Sequence, residues 1–245
     1  VQKDMGCYPA SYEEYDGIIL PGSYNGAYDP DEWIARLKRE LHETLIPQEK
    51  PILGVCFGHQ LLAHSYDDGH AQPCPAGPQY GHRVMMVSPS SSPSSSSSSS
   101  SHPPDAHDLF VRDSPPTSDA AAAVASSSSS SKTAVSMLYT HNDMVARLPS
   151  NAVCLGGNDA VPIQSALYRS DGLKTIAVTF QAHPEYAAEG PTQPTLRKVL
   201  EIGNGRTEHE IETAMEEIEN HWQDIENDSF RAMWRSGIRL GWFPP

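Results

Sequence analysis

Short apolar runs alternate with longer amphipathic segments in the first third of the chain. The runs at 18–20 (IIL) and 51–55 (PILGV) are typical of short buried strands, and the first is closed by a Pro-Gly turn. The segment 29–45 between them has helical periodicity, and a helix-sized segment follows at 59–66. Strand, helix, strand, helix is the order that builds a parallel sheet covered by helices. The pattern therefore predicts an open, mostly parallel α/β sheet with helices on both faces.

The first predicted helix has a start signal and one apolar face. Asp29 is a good N-cap and Pro30 suits the first helical position. Trp33, Leu37 and Leu41 then recur at four-residue intervals. This spacing places them on one side of a helix that packs on the sheet.

The pattern in the second half of the chain predicts short strands followed by helix. Strand-like segments separated by turns predict β-structure at 135–139, 153–155, 163–168 and 175–180. From 208 to 234 an apolar stripe recurs at helical spacing, with acidic residues on the opposite face.

A serine-rich tract separates these two halves. Positions 88 to 101 hold twelve serines and two prolines. The tract 88–131 has too little apolar content to offset the entropy of folding, and we expect a disordered insertion. The predicted organisation is one α/β domain formed by 1–87 and 132–204, interrupted by this insertion and followed by a helical extension at 205–245.

Charge and composition exclude several classes of function. The 245 residues carry 17 Lys and Arg against 31 Asp and Glu, a formal net charge of −14. A negative surface does not attract nucleic acid or anionic membranes, so neither partner is expected. No apolar run approaches the roughly 20 residues of a membrane-spanning helix. The four cysteines are far apart and form no C-x-x-C pair, which predicts a reducing, cytosolic setting and no structural zinc.

The segment GVCFG, residues 54–58, is the first candidate for chemistry. A nucleophile flanked by glycines where a strand gives way to a helix is typical of a nucleophile elbow, a sharp turn that needs small neighbours. The start of the helix then stabilises negative charge on Cys56 or on a developing oxyanion. The alternative is a buried structural cysteine after a core strand.

A cysteine nucleophile needs a base and a group that orients the base. His183 and Glu185 follow the predicted strand 175–180 and stand two residues apart, so on an extended segment they point to the same side. Alone, an H-x-E pair is common on protein surfaces. Here the pair and Cys56 both follow predicted parallel strands, at the sheet edge where open α/β proteins place their sites.

A metal site is the remaining alternative for these residues. Cys56, His59 and His64 fall on neighbouring turns of the predicted helix. An elbow would aim the thiol away from His64, so the pattern predicts no metal centre.

Five motifs together closely resemble one family, the type 1 (class I) glutamine amidotransferases, whose members include free-standing γ-glutamyl peptidases. The motifs are GVCFGHQLLA at 54–63, QAHPEY at 181–186, EYDGIILPGSYNGAYDPDEWI at 14–34, PAGPQYGH at 75–82 and YTHNDMVARLPSNAVCLGGNDAVPIQSA at 139–166. The resemblance covers about residues 8–186 apart from the serine tract. It implies a flavodoxin-like α/β fold, and we expect its first strand to be missing from this chain.

The resemblance also implies a Cys-His-Glu triad. Cys56 matches the family's nucleophile, His183 its acid and base, and Glu185 the carboxylate that orients the histidine. The implied reaction is attack of the thiolate on the γ-carboxamide of glutamine or a related γ-glutamyl compound, followed by hydrolysis of a thioester. The family's chemistry requires neither a metal nor an organic cofactor.

Three further residues match substrate-contacting positions of the family. Gly22 and Phe57 would offer backbone N–H groups to the oxyanion, and Gln60 matches a glutamine of the substrate pocket. Three functions stay open on this resemblance. The chain could supply ammonia to a separate synthetase, act alone as a γ-glutamyl peptidase on glutathione-like conjugates, or be a non-catalytic scaffold of the same fold.

Overall fold

A seven-stranded sheet and a two-stranded sheet form the β-structure of the protein. The computed structural model describes residues 8–88, 109–110, 134–190, 194–202 and 206–243. The strands, in chain order, are β1 Ile18–Leu20, β2 Ile52–Val55, β3 His70–Pro73, β4 Gln79–Val87, β5 Ala134–His141, β6 Asp143–Arg147, β7 Ala152–Gly157, β8 Ser165–Arg169 and β9 Thr175–Phe180. The large sheet has the order β1-β2-β9-β8-β7-β4-β5, and β3 pairs with β6.

Parallel pairing is concentrated in the half of the large sheet that contains β1, β2 and β9. Ile18 pairs with Ile52 between β1 and β2, and Gly54 pairs with Thr179 between β2 and β9. The remaining pairs, from β9 through β8, β7 and β4 to β5, are antiparallel. Tight connections such as 170–174 between β8 and β9 permit only antiparallel neighbours, because a parallel pair needs a long crossover. The predicted α/β class is confirmed, and the parallel strands are those that carry the candidate site.

Six α-helices with described bounds surround the sheets. They are α1 Glu32–Glu40, α2 Phe57–His64, α3 Pro194–Ile202, α4 Glu208–Asn220, α5 Trp222–Ile225 and α6 Arg231–Arg239. A π-helical turn, Leu41–Leu45, continues α1, and a second, Glu226–Phe230, joins α5 to α6. The segment 208–234 is helical as predicted, and the helical structure is divided into α4, α5 and α6.

The start of α1 differs from the prediction. Asp31 is the N-cap residue, two positions after the predicted Asp29. Asp29 instead accepts a hydrogen bond from the backbone N–H of Gly26 at 2.9 Å, which closes the turn before the helix. An Asp side chain stabilises such a turn as readily as a helix start, so the sequence signal alone did not separate the two positions.

The large sheet is covered by apolar side chains and helices on both faces. Ala166 and Tyr168 of β8 pack in one cluster with residues of α1 and α2. Leu167 points the other way and belongs to a second cluster that includes Ala232 of α6. Alternate residues of a strand face opposite sides of a sheet, so these clusters are the two cores of an α/β layer structure. Helices on both faces, as predicted, are thereby confirmed.

The serine-rich tract 88–131 lies outside the described residues, except for Ser88, Leu109 and Phe110. Leu109 and Phe110 are buried in the second cluster, and the Phe110 ring lies 6.0 Å from that of Phe180, centroid to centroid. The burial of these two residues could not be predicted from the serine-rich composition of the tract as a whole. Its assignment as an insertion, and the four-part division of the chain, stay predictions.

Helices α4 to α6 pack against the antiparallel half of the large sheet. Ile211, Met215 and Ile218 of α4 are buried in one cluster with Leu138 of β5. Arg83 of β4 donates a hydrogen bond to Glu217 at 2.8 Å. A capping box starts α4, in which the Thr207 side chain and the Glu210 carboxylate exchange hydrogen bonds with each other's backbone N–H. Within the ranges that the structure describes, no helix has the length and apolar character needed to cross a membrane.

Replacing Gly58 with alanine tests how closely α2 packs on β1. A Cβ at Gly58 would overlap the carbonyl oxygen of Leu20, a backbone atom that cannot rotate away. We expect Gly58→Ala to lower the free energy of unfolding by about 1–3 kcal/mol, the usual range for overpacking. Urea titration measures the change. Gly172→Ala is the control, because a Cβ there meets nothing closer than 3.7 Å, and equal stability of the two variants would contradict this packing.

Candidate active site

Cys56 occupies a sharp turn between β2 and α2. Its φ of 51° and ψ of −105° lie where residues with a side chain are rarely found, so the turn is strained. Its backbone N–H donates to the carbonyl of Phe180 in β9 at 2.8 Å. Small neighbours are required as predicted, since a Cβ at Gly54 would lie 2.7 Å from Thr179 and 3.1 Å from Gly58. The backbone thus has the geometry of a nucleophile elbow.

His183 follows β9, the parallel neighbour of β2, and is almost completely buried. Its backbone N–H donates to the carbonyl of Leu138 at 2.8 Å. The ring is stacked on Tyr186, with centroids 4.6 Å apart and planes 4° from parallel. Nδ1 of His183 lies 2.7 Å from Oε1 of Glu185. The imidazole is therefore held from its face and from its Nδ1 edge.

The predicted pairing of His183 and Glu185 is present, but the backbone between them is not extended. Pro184 begins a 3₁₀-helix, Pro184–Glu189, and His183 is the residue before it. Proline is well suited to the first position of a helical turn, because its φ is already fixed there. The carboxylate consequently reaches the imidazole by curling back from the turn.

Gly22 follows β1, the third parallel strand, and lies next to Cys56 and His183. A Cβ at Gly22 would lie 3.1 Å from Cε1 of His183 and 3.7 Å from Cβ of Cys56. The thiol and the imidazole are thus close neighbours, and a Cβ at Gly22 would require the His183 ring to shift. The structure brings together residues that the sequence places 127 positions apart, at the carboxyl ends of adjacent parallel strands.

The charge environment of His183 favours its protonated form. Burial alone would lower the pKa of the imidazole. Negative charge on Cys56, together with the hydrogen bond to Glu185, outweighs burial and raises the pKa of His183 well above that of an ordinary histidine. A histidine placed beside a cysteine is the arrangement in which a thiol can be activated for nucleophilic attack.

Two other histidines near the site have the opposite tendency. Burial lowers the pKa of His59 to about 4 and that of His141 to about 3. His59 contacts Oγ1 of Thr179 at 2.7 Å, and Nδ1 of His141 donates to the carbonyl of Asp143 at 2.8 Å. Both are neutral at pH 7, so His183 is the charged histidine among the three.

The metal alternative finds no support in this geometry. His59 is occupied by its contacts with Thr179 and Ile163, and Nδ1 of His64 accepts a hydrogen bond from the backbone of Ala71. No group of three or more potential metal ligands occurs within the described ranges.

Two cavities meet at Cys56. The smaller, about 240 Å³, is lined by Gln60, His141, Asp143 and Arg206 among others. Nε2 of Gln60 donates to the carbonyl of Asp143 at 3.0 Å and to the side-chain oxygen of Gln181 at 3.2 Å. Both amide donors are thereby engaged, and the Gln60 oxygen is the polar atom of this side chain left for a ligand.

The larger cavity, about 490 Å³, lies on the histidine side of the thiol. His183, Glu185, Tyr186 and Val199 line it together with Gly22. Cys56 is common to both cavities, so a ligand can extend from the thiol in two directions.

Several residues that line these cavities carry no local signal in the sequence. Arg206 precedes α4 and follows no catalytic motif, so nothing in the local pattern marked it. Thr140 lines both cavities but was quoted only as part of a longer motif. Asn142 lies between β5 and β6 and Asp143 begins β6, and their approach to Cys56 depends on a strand order that the local sequence does not encode.

An α/β sheet with an elbow cysteine and a neighbouring imidazole is the arrangement of cysteine-dependent amide-cleaving enzymes. The profile of one family, GATase, described as glutamine amidotransferase class-I, matches residues 7–201. The chain belongs to this family, which confirms the resemblance seen in its sequence motifs.

The individual relatives share low sequence identity with this chain. The chain is 26% identical over 177 residues to gamma-glutamyl peptidase 5 of Arabidopsis thaliana, an alignment that covers 72% of this chain but 56% of that protein. It is 33% identical over 94 residues to the imidazole glycerol phosphate synthase subunit HisH of Listeria monocytogenes, covering 33% and 44% of the two chains. A glutamine amidotransferase crystal structure from Methylobacillus flagellatus superposes with a TM-score of 0.63 at 17% identity, over 95% of this chain and 80% of that one.

The protonation of His183 can be measured directly. We expect its ring to remain an imidazolium at pH 8 in the wild type and to titrate at lower pH in Cys56→Ala, because the variant removes the negative charge that raises the pKa. Nitrogen NMR of the histidine rings measures this. His59 is the internal control, neutral in both proteins. Because the folded-state pKa is raised, the stability contributed by His183 is fully present below about pH 6.5 and is lost as pH rises through the raised value. Equal titration of His183 in both proteins would contradict the coupling.

Proposed function

We propose that this protein hydrolyses the amide bond of γ-glutamyl compounds, with Cys56 as nucleophile, His183 as acid and base, and Glu185 as the group that orients His183. The observation that carries the proposal is the buried imidazole beside an elbow cysteine, with its Nδ1 edge 2.7 Å from a carboxylate. Membership of the class-I glutamine amidotransferase family supports it.

The proposed reaction has two steps. The Cys56 sulfur attacks the carbonyl carbon of the γ-amide, and the carbon–nitrogen bond breaks as His183 gives its proton to the departing nitrogen. This forms a γ-glutamyl thioester. His183 then takes a proton from water, which attacks the thioester carbon, and glutamate leaves as the thiol is restored.

Negative charge on the substrate oxygen would be stabilised by backbone N–H groups. Phe57 is the first residue of α2, and its N–H has no partner within the helix. The N–H of Gly22 is the second proposed donor, on the loop after β1, where a Cβ would lie against both His183 and Cys56. Two such donors, held in place before the reaction, stabilise the tetrahedral intermediate without reorganisation.

Gln60 is the proposed contact for the glutamyl part of the substrate. Its side chain is buried and lines the smaller cavity next to Cys56. With both amide hydrogens already donated within the protein, its oxygen is placed to accept a hydrogen bond from the substrate's α-amino group.

A γ-glutamyl peptide is the substrate class that the cavities favour. Ammonia, the leaving group from glutamine, needs little space. The cavity beside His183 is about 490 Å³, large enough for a leaving group of dipeptide size such as that of glutathione-like conjugates. Resemblance to a gamma-glutamyl peptidase points the same way, although the chain spans only 56% of that relative's length.

Release of ammonia to a separate synthetase is the second candidate. A relative that is 33% identical over 94 residues is by name a subunit of imidazole glycerol phosphate synthase. In this version glutamine is the small-molecule substrate, and the acceptor chemistry takes place on another chain. Neither version requires a metal or organic cofactor.

The thiol chemistry agrees with a reducing compartment, for which we propose the cytosol. Cys56, Cys74 and Cys154 are free cysteines in the structure. A catalytic thiol has to stay reduced in order to attack the substrate.

Replacing Cys56 with alanine tests the nucleophile. We expect Cys56→Ala to abolish release of glutamate from γ-glutamyl substrates while leaving the folded state intact by circular dichroism, because no thioester can form. Cys154→Ala is the matched control and should retain full activity, since Cys154 lines neither cavity. Turnover by Cys56→Ala would refute the nucleophile, and absence of turnover in the wild type would favour the scaffold interpretation.

A comparison of leaving groups distinguishes a γ-glutamyl peptidase from an enzyme that supplies ammonia. Glutamine and glutathione are supplied separately, and ammonia and cysteinylglycine are measured. If the larger cavity holds a peptide, we expect a kcat/KM for glutathione at least tenfold above that for glutamine. The reverse preference would assign the protein to ammonia supply.

A further inference from the structure

One wall of the smaller cavity is formed by residues beyond the segment that matches the family. The match ends at residue 201, whereas Ile202 and Arg206 line the cavity together with Cys56 and Gln60. The chemistry of this wall is therefore not fixed by family membership.

Arg206 is held in place against an aromatic ring. Its guanidinium carbon lies 3.7 Å from the centroid of the Tyr80 ring, a close cation–π contact. One terminal nitrogen, Nη1, donates to the carbonyl of Leu200 at 3.0 Å. These two contacts fix the plane of the guanidinium, which lowers the entropy lost when it binds a ligand.

The guanidinium has bonding capacity left over. Its Nε is buried and has no hydrogen-bond partner among the residues that the structure describes. The nearby Glu210 carboxylate is engaged by the capping box, with donors from the Thr207 backbone at 2.6 Å and hydroxyl at 2.9 Å. Within the described ranges, no carboxylate forms an ion pair with Arg206. A guanidinium that forms no ion pair within hydrogen-bonding distance and lies on a cavity wall is suited to bind a carboxylate of a ligand.

His141 and Asp143 are ionisable residues that line the same cavity as Arg206. Burial keeps His141 neutral by lowering its pKa to about 3. The carboxylate of Asp143 accepts a hydrogen bond from the Tyr28 hydroxyl at 2.7 Å. Arg206 is the one Lys or Arg among the residues lining this cavity in the described part of the chain.

We propose that Arg206 binds the α-carboxylate of the γ-glutamyl group and thereby selects substrates that carry a free one. The inference rests on the proposed γ-glutamyl hydrolysis and adds to it a residue that decides specificity. Arg206 shares its cavity with Gln60, while His183, which protonates the leaving nitrogen, lines the other. The Arg206 cavity thus receives the acyl part of the substrate, and the His183 cavity receives the leaving group.

The assignment has a distinct kinetic consequence. Every γ-glutamyl substrate presents the same α-carboxylate, whatever its leaving group. Loss of Arg206 should therefore weaken the reaction with all of them by a similar factor, and should not affect compounds in which this carboxylate is masked as an amide.

Alkylation of Cys56 by a chloroketone analogue of glutamine tests the inference without requiring turnover. A chloromethyl ketone replaces the side-chain amide, so the Cys56 sulfur forms a bond to carbon as chloride leaves. The rate is measured by mass spectrometry of the full chain for the free-acid analogue and for its α-carboxamide. We expect Arg206→Gln to slow the free acid by about 10- to 100-fold, the size of a charged hydrogen bond, and to leave the carboxamide rate unchanged.

Two controls separate specificity from structure. Arg83→Gln removes a cation that also joins β4 to the C-terminal helices, but Arg83 lines neither cavity, so its rates should equal those of the wild type. Iodoacetamide, which has no carboxylate, should alkylate Cys56 equally in all three proteins. Equal slowing of acid and carboxamide by Arg206→Gln, or no slowing of either, would overturn the role of Arg206. Failure of the chloroketone to label wild-type Cys56 that iodoacetamide does label would instead refute the proposed function.

Discussion

The backbone conformation of Cys56 is the constraint on which the rest of the site depends. A residue with a side chain at φ 51° costs on the order of 1–3 kcal/mol, and it persists only where surrounding structure fixes it. Here the fixing contacts are the hydrogen bond from Cys56 to Phe180 and the packing of α2 against β1. Gly54 and Gly58 are required because any larger residue would separate those elements. The strain is therefore sustained by the same interface that joins the three parallel strands.

The chemistry of the site follows from burial acting with opposite results on neighbouring histidines. His59 and His141 lose their protons because burial is not compensated by a nearby negative charge. His183 is equally buried, yet negative charge on Cys56 and the hydrogen bond to Glu185 outweigh desolvation. One fold thus holds neutral and charged imidazoles within the same small region, and only the charged one adjoins the thiol.

Local sequence signals predicted the elements of the site far better than its surroundings. The elbow at 54–58 and the pair formed by His183 and Glu185 were recognisable because strand ends, glycines and spacing are encoded within a few residues. The antiparallel half of the sheet was not recognisable from the sequence, because strand order depends on contacts between distant segments. Nor did any local pattern mark Arg206, whose position depends on Tyr80, a residue 126 positions earlier in the chain. The burial of Leu109 and Phe110 could not be predicted either, because the surrounding sequence is rich in serine.

The wall that carries Arg206 has a consequence for how such a protein can diversify. Cys56 and His183 sit on β-strand ends that share one core, so almost any change there disturbs several contacts at once. Ile202 ends one peripheral helix and Arg206 precedes the next, and both lie outside the segment matched by the family. On the proposed role of Arg206, substitutions at these two positions change substrate binding without touching Cys56 or His183. The proposal therefore assigns substrate binding and bond cleavage to separate parts of the chain, which can evolve at different rates.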